Sequence, residues 1–136
     1  MRDIAYIALG SNLGDRSAHL AHARAALAAL PESRLVAVGS IEETEPLGGV
    51  AQHSYLNQMA ALETALDPRA LLAALQRIEH EAGRVRDERW GARTLDLDIV
   101  KFGDREVHDP HLIIPHPGLE TRDFWQRGLA ELGEST

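Results

Sequence analysis

An α+β sandwich on an antiparallel sheet is the fold this sequence predicts, and three observations predict it. The length of 136 residues suits one domain, spanning 1–136. A chain of that size buries roughly two thirds of its unfolded surface, so it can hold a core without crosslinks. Two helical stretches with apolar stripes then alternate with runs that are short, apolar and β-rich. Their order is β-α-β-β-α-β followed by a short C-terminal helix, which is the ferredoxin-like pattern.

Each element has a local reason. Residues 3–9, DIAYIAL, are a short apolar run closed by the turn residues Gly10 to Asp15, so they read as a buried strand. Over 16–30, Leu20, Ala23, Leu27 and Leu30 fall on one helical face, and Pro31 stops the helix. Residues 34–44 carry β-branched side chains and read as a second strand. The Pro- and Gly-rich stretch 45–54 reads as a loop; 55–66 fits helix or strand by itself and reads as a third strand because a helix there would leave the sheet short of a member. Asp67 is a good N-cap and Pro68 suits the first helical position. Leu71, Leu72, Leu75, Ile78 and Ala82 form the stripe of that second helix, and Gly83 is its left-handed stop. A charged loop then leads to a strand at about 95–102, a short return and a terminal helix over about 120–132.

Composition removes several function classes. The absence of cysteine excludes disulfides, thiolate metal sites and thiol nucleophiles. No apolar run reaches the roughly 18–20 residues of a membrane span, so no membrane partner is expected. The N-terminal run has no cleavage-like end and reads as a strand rather than a signal peptide, so a cytoplasmic location is expected. A net charge of −7 argues against generic nucleic-acid binding. All but Lys101 of the 14 basic residues are arginine, a bias that base composition alone can produce. Where the arginines sit is more informative.

Asp96 and Asp98 flank Leu97 in TLDLDIVKF. On a strand, positions i and i+2 share a face, and two neighbouring carboxylates repel unless a cation separates them. Hard oxygen ligands suit Mg²⁺, which takes one or two carboxylates together with substrate phosphates and water. Such a pair standing alone is also compatible with a solvated strand face, although Asp is disfavoured inside strands. Just before it lie Arg84, Arg86, Arg89 and Arg93, whose forked guanidinium groups match phosphate oxygens. An arginine-rich loop running into a carboxylate pair is suited to polyphosphate chemistry. Trp90 in that loop could cover a flat ring; a salt-bridged surface loop with a packing tryptophan is the alternative. Gln76 and Glu79 lie one helical turn apart, where ordinary solvent-facing residues would also fit. Thr44, Tyr55 and Asn57 bracket the Gly-Gly loop with a hydroxyl, a ring and an amide. His116, between two prolines, is the best-placed histidine, and the seven histidines show no metal-ligand spacing. The GSNLGD turn matches neither common phosphate-loop fingerprint.

The stretches IALGSNLGDR, ETEPLGG followed by Q-x-x-YLN, LQRIEHEAGRVR, RWGARTLDLDI and PHPGLETRDF together resemble the 6-hydroxymethyl-7,8-dihydropterin pyrophosphokinase family of folate biosynthesis. The resemblance implies transfer of the β,γ-pyrophosphoryl group of ATP to the pterin hydroxymethyl group, giving AMP and the pterin diphosphate. It implies ATP as co-substrate and two Mg²⁺ ions on Asp96 and Asp98. Carried over by position, Gln76, Glu79, Arg86, Trp90, Arg93, Ile99, His116 and Arg122 line the ATP site. Thr44, Leu47, Tyr55, Asn57, Trp90 and Phe124 hold the pterin, with Tyr55 and Phe124 on its two faces. Arg84 and Arg93 contact the transferring group. A monomer is expected.

The sequence departs from the family pattern in places. Glu45 stands where a small residue or proline is common. His111 and Ile113 replace an Arg and a Thr, and Trp125-Gln126-Arg127-Gly128-Leu129 replaces Val-Leu-x-Pro-Leu. The altered C-terminal segment keeps open a second reading, a non-catalytic nucleotide- or pterin-binding paralogue. A ferredoxin-like RNA- or protein-binding module fits the charge and the few aromatics poorly.

Overall fold

A computed structural model describes residues 2–45, 54–83 and 95–134. The elements run β1 (Asp3–Ser11), α1 (Arg16–Ala28), β2 (Ser33–Val38), β3 (Glu42–Thr44), β4 (Tyr55–Thr64), α2 (Pro68–Glu81), β5 (Asp96–Phe102), β6 (Val107–Asp109), β7 (Leu112–Ile114) and α3 (Asp123–Glu131), with a 3-10 turn at Pro117–Glu120 before α3. The main sheet has the order β2-β4-β1-β5, with β3 continuing the β2 edge along β4. All its pairings are antiparallel. With β2 and β3 taken as one interrupted strand, this is the ferredoxin-like topology that the sequence predicts.

The helix signals act where they were read. Asp67 Oδ1 accepts from the Ala70 amide at 2.8 Å, Pro68 opens α2, and Gly83 takes φ of 85° after its end. Asp15 caps α1 through the Ala18 amide at 3.1 Å. Both helices cover one sheet face. Leu20, Ala23 and Leu27 of α1 and Leu71, Leu75 and Ile78 of α2 join Ile7, Leu9, Leu62, Ile99 and Phe102 in one core. Each large side chain buried there contributes about 1.5–3 kcal/mol. A second cluster on the opposite face packs Trp125 and Leu129 of α3 on Ala8, Met59 and Val100.

Several boundaries differ from the sequence reading. Strand β1 runs on through Gly10 and Ser11 instead of turning. The predicted strand over 34–44 is two strands: the Gly39 amide still donates to the Met59 carbonyl at 2.8 Å, but its own carbonyl is taken by Gln58 Nε2 at 2.7 Å, and the pairing breaks there. Helix α1 stops at Ala28, leaving Leu30 to pack from the following turn. The terminal helix starts at Asp123, because Pro117 and Gly118 set a 3-10 turn first. The short return is the two-stranded hairpin of β6 and β7.

Candidate active site

The sheet face opposite α1 and α2 carries the candidate site, and strand register assembles it. Residues paired across antiparallel strands share a face. In one row Asn57 faces Gly10 and Gly10 faces Asp96; in the next Met59 faces Ala8 and Ala8 faces Asp98. Strand β3 adds Glu42 beside Asn57 and Thr44 beside Tyr55. Three elements far apart in sequence thus place a ring, an amide, a hydroxyl and two carboxylates around one glycine. A cavity of about 290 Å³ opens there, lined by Gly10, Thr44, Tyr55, Asn57, Asp96 and Asp98, with His116, Arg122, Phe124 and Trp125 opposite. Gly10 keeps its floor flat: a Cβ there would sit 3.6 Å from both Asn57 Oδ1 and Tyr55 Cδ1.

The Asn57 amide is oriented by two bonds. Its Nδ2 donates to Thr44 Oγ1 at 2.7 Å and to the Glu42 carbonyl at 3.2 Å. Both donors are committed, so Asn57 presents Oδ1 above Gly10 as an acceptor, a narrower role than the donor-and-acceptor amide read from sequence.

A β-bulge brings His116 to the carboxylates. Tyr6 pairs with Lys101 and Ile7 with Ile99, so Val100 is the extra residue. The Val100 carbonyl accepts the His116 amide at 2.9 Å. His116 Nδ1 accepts from the Gly118 amide at 2.9 Å, which leaves the proton of the neutral ring on Nε2, 3.8 Å from Asp98 Oδ1. The ring meets Trp125 edge-on at 4.8 Å, and the Arg122 guanidinium lies 4.4 Å from the Trp125 ring centre. Burial, and then the Arg122 charge, hold His116 below its ordinary pKa of 6.5.

The remaining expected residues separate. Ile99 and His116 meet in a neighbouring cleft of about 270 Å³ that also includes Asp98, His111 and Ile113. Gln76 is exposed on α2, whereas Glu79 is buried. Glu79 Oε2 accepts the Leu97 amide at 2.8 Å, tying α2 to the edge strand between the two aspartates. A pair that read as compatible with one solvent-facing surface is therefore split. Leu47, Arg84, Arg86, Trp90 and Arg93 lie outside the described residues. Sequence reading missed Gly10 and Trp125 as cavity residues. Continuing the β1 alternation by one residue would have found Gly10; Trp125 carries no comparable signal, since it stands where the family pattern breaks.

The donor set fits Mg²⁺. Asp96 and Asp98 are half-buried on one strand face at the cavity. Among the described residues no group of three or more His, Cys, Asp or Glu side chains gathers as a cation cage. A hard cation held by two carboxylates, its remaining positions filled by phosphate oxygens and water, matches such a set.

Residues 6–134 match the family model described as 7,8-dihydro-6-hydroxymethylpterin-pyrophosphokinase. The chain is 49% identical over 127 residues to a 2-amino-4-hydroxy-6-hydroxymethyldihydropteridine pyrophosphokinase of Pseudomonas aeruginosa, covering 93% of this chain and 78% of that one. Proteins of the same name from Bacillus subtilis and Haemophilus influenzae are 45% and 47% identical. Those matches cover 97% and 88% of this chain, and 79% and 75% of the relatives.

Proposed function

The chain belongs to the 7,8-dihydro-6-hydroxymethylpterin pyrophosphokinase family and transfers a pyrophosphoryl group from ATP to hydroxymethyldihydropterin in folate biosynthesis; we propose that the cavity around Gly10 is where it does so. The observation carrying this reading is the register that sets Tyr55, Asn57, Asp96 and Asp98 on one sheet face opposite Phe124.

A pterin is a flat polar heterocycle, so it needs stacking surfaces and in-plane partners together. Tyr55 and Phe124 cover its two faces, and Asn57 Oδ1 accepts from an N–H on its edge. The triphosphate runs along Asp96 and Asp98 toward the cleft of Ile99 and His116, which takes the nucleoside end. Two Mg²⁺ ions held by Asp96 and Asp98 would neutralise the phosphate charge and favour the ionised form of a bound hydroxyl. The pterin hydroxyl oxygen bonds to the β-phosphorus as the bond from that phosphorus to the α,β-bridging oxygen breaks; the hydroxyl proton passes to solvent, AMP leaves with the bridging oxygen, and the β,γ-pyrophosphoryl group moves intact. His116 Nε2–H and Arg122 donate to phosphate oxygens at the cavity's rim, and Arg84 and Arg93 to the transferring group. Trp125 keeps the His116 ring and the Arg122 guanidinium in place, and Trp90, Leu47, Arg86, Gln76 and Glu79 complete the two subsites. The protein acts as a monomer.

Asn57→Ala tests the placement. An unmatched buried edge costs about 1–3 kcal/mol, so pterin affinity should fall roughly five- to a hundredfold. Affinity for an ATP analogue should stay within about twofold. The two ligands are titrated separately by calorimetry, alongside a melting curve. Parallel losses in both affinities with a lower melting temperature would make Asn57 a strand-holding residue and remove it from the site.

A further inference from the structure

Helix α3 meets the sheet in two different ways along its two flanks. On the inner flank Trp125 and Leu129 pack on Ala8, Met59 and Val100. Gly128 permits the approach, since a Cβ there would fall 2.8 Å from Met59 Cβ. On the outer flank a cavity of about 660 Å³ separates α3 from β3 and β4, lined among others by Ile41, Glu42, Asn57, Phe124 and Arg127. Polar groups span that gap. Arg127 and Glu131, one helical turn apart, both reach across it. The Arg127 guanidinium grips both Glu42 carboxylate oxygens, with Nε 3.3 Å from Oε2 and a second bond from Nη2 to Oε1. Glu131 Oε1 accepts from the Ser40 amide at 2.9 Å and its hydroxyl at 3.1 Å.

Glu42 has a second role at its backbone. Its carbonyl accepts Asn57 Nδ2, and its Cα pairs with Asn57 in the ladder. The partner helix carries Phe124 three residues before Arg127. We propose that the Arg127–Glu42 ion pair is a positioning pair for the pterin pocket, fixing the spacing between the stacking ring on α3 and the edge acceptor on β4. It touches no substrate atom and acts through Glu42 and the helix. The inference rests on the pterin occupying the cavity around Gly10. Arg127 is exposed and Glu42 partly so, so the effect is modest and weakens with salt.

The test measures steady-state kinetics with hydroxymethyldihydropterin and Mg·ATP varied in turn. Arg127→Ala should raise the pterin KM by roughly two- to fivefold at low salt, leaving kcat and the ATP KM unchanged. Arg127→Glu should raise it further, and Glu42→Arg combined with Arg127→Glu should restore it. The gap between wild type and Arg127→Ala should narrow as salt is raised. Arg34→Ala, which removes an ion pair with Glu63 at the end of β4 far from Asn57, should change neither KM. An unchanged pterin KM in Arg127→Glu, equal rises in both KM values, or no recovery in the reversed pair would each overturn the proposal. Phe124→Ala, measured in parallel, separates the two readings. If its pterin KM is also unchanged, the pterin lies elsewhere; if its KM rises while that of Arg127→Glu does not, only the positioning role fails.

Discussion

At the scale of single residues, two side chains of the site have their other hydrogen-bonding groups already engaged inside the protein. Asn57 has committed both amide protons, and His116 has committed Nδ1, so each turns one defined atom to the cavity. That economy has a consequence for pH. His116 is held below its ordinary pKa of 6.5, by burial first and the Arg122 charge second. The unfolded chain therefore takes up a proton that the folded chain resists. Its stability is complete above that ordinary value and declines as pH falls from there toward the lower folded value. His116→Asn keeps an acceptor for the Gly118 amide and removes the titrating group. Melting temperatures of the ligand-free protein between pH 7 and 5 should fall less steeply in this variant than in wild type. Parallel slopes would mean that His116 titrates alike in both states.

At the scale of elements, what was legible followed from short-range chemistry. Helix α2 could be placed almost to the residue, because Asp67, Pro68 and Gly83 are boundary signals acting within one turn. The break between β2 and β3 was not legible, since it depends on Gln58 and Gly39, partners 19 positions apart. Likewise Glu79 reads as a surface residue on its helix, and only an edge strand 18 positions on makes it a buried acceptor. The aspartate pair was legible because a period of two survives any tertiary arrangement, whereas its row with Gly10 and Asn57 required the register. Helix α3 shows how such contacts override propensity. Alanine at 128 would gain about 1 kcal/mol of helix propensity. Its Cβ would also lie 2.8 Å from Met59 Cβ, on a stem that cannot swing aside. Overpacking costs about 1–3 kcal/mol, and the helix must shift to relieve it. Gly128→Ala should therefore lower the melting temperature by up to roughly 6 °C and weaken pterin binding by displacing Phe124. A higher melting temperature with unaltered pterin affinity would show that α3 yields freely.

At the scale of the whole molecule, the sheet divides its labour between two faces, one closed by α1 and α2 and one left open for chemistry beside α3. The open face sets two carboxylates in a chain of net charge −7, against a triphosphate that is itself strongly anionic. Each unit-charge repulsion at about 4 Å is worth ~1 kcal/mol even in water and more in a partly closed cavity. The same aspartates must therefore repel ATP without a divalent cation and hold it with one. This predicts a reversal of sign in a single variant. With Mg²⁺ present, Asp98→Ala should bind an ATP analogue more weakly than wild type and turn over slower by a factor on the order of 10³, since the neutralising ions contribute several kcal/mol. With Mg²⁺ removed by a chelator, wild-type affinity should fall, and Asp98→Ala should bind the metal-free analogue at least as tightly, by up to roughly fivefold, because one repulsion is gone. A purely structural Asp98 would instead weaken binding in both conditions and lower the melting temperature. Calorimetric titration of both proteins with and without chelator, beside their melting curves, reads the difference directly: curves that keep the same order in the two conditions would remove Asp98 from the metal site.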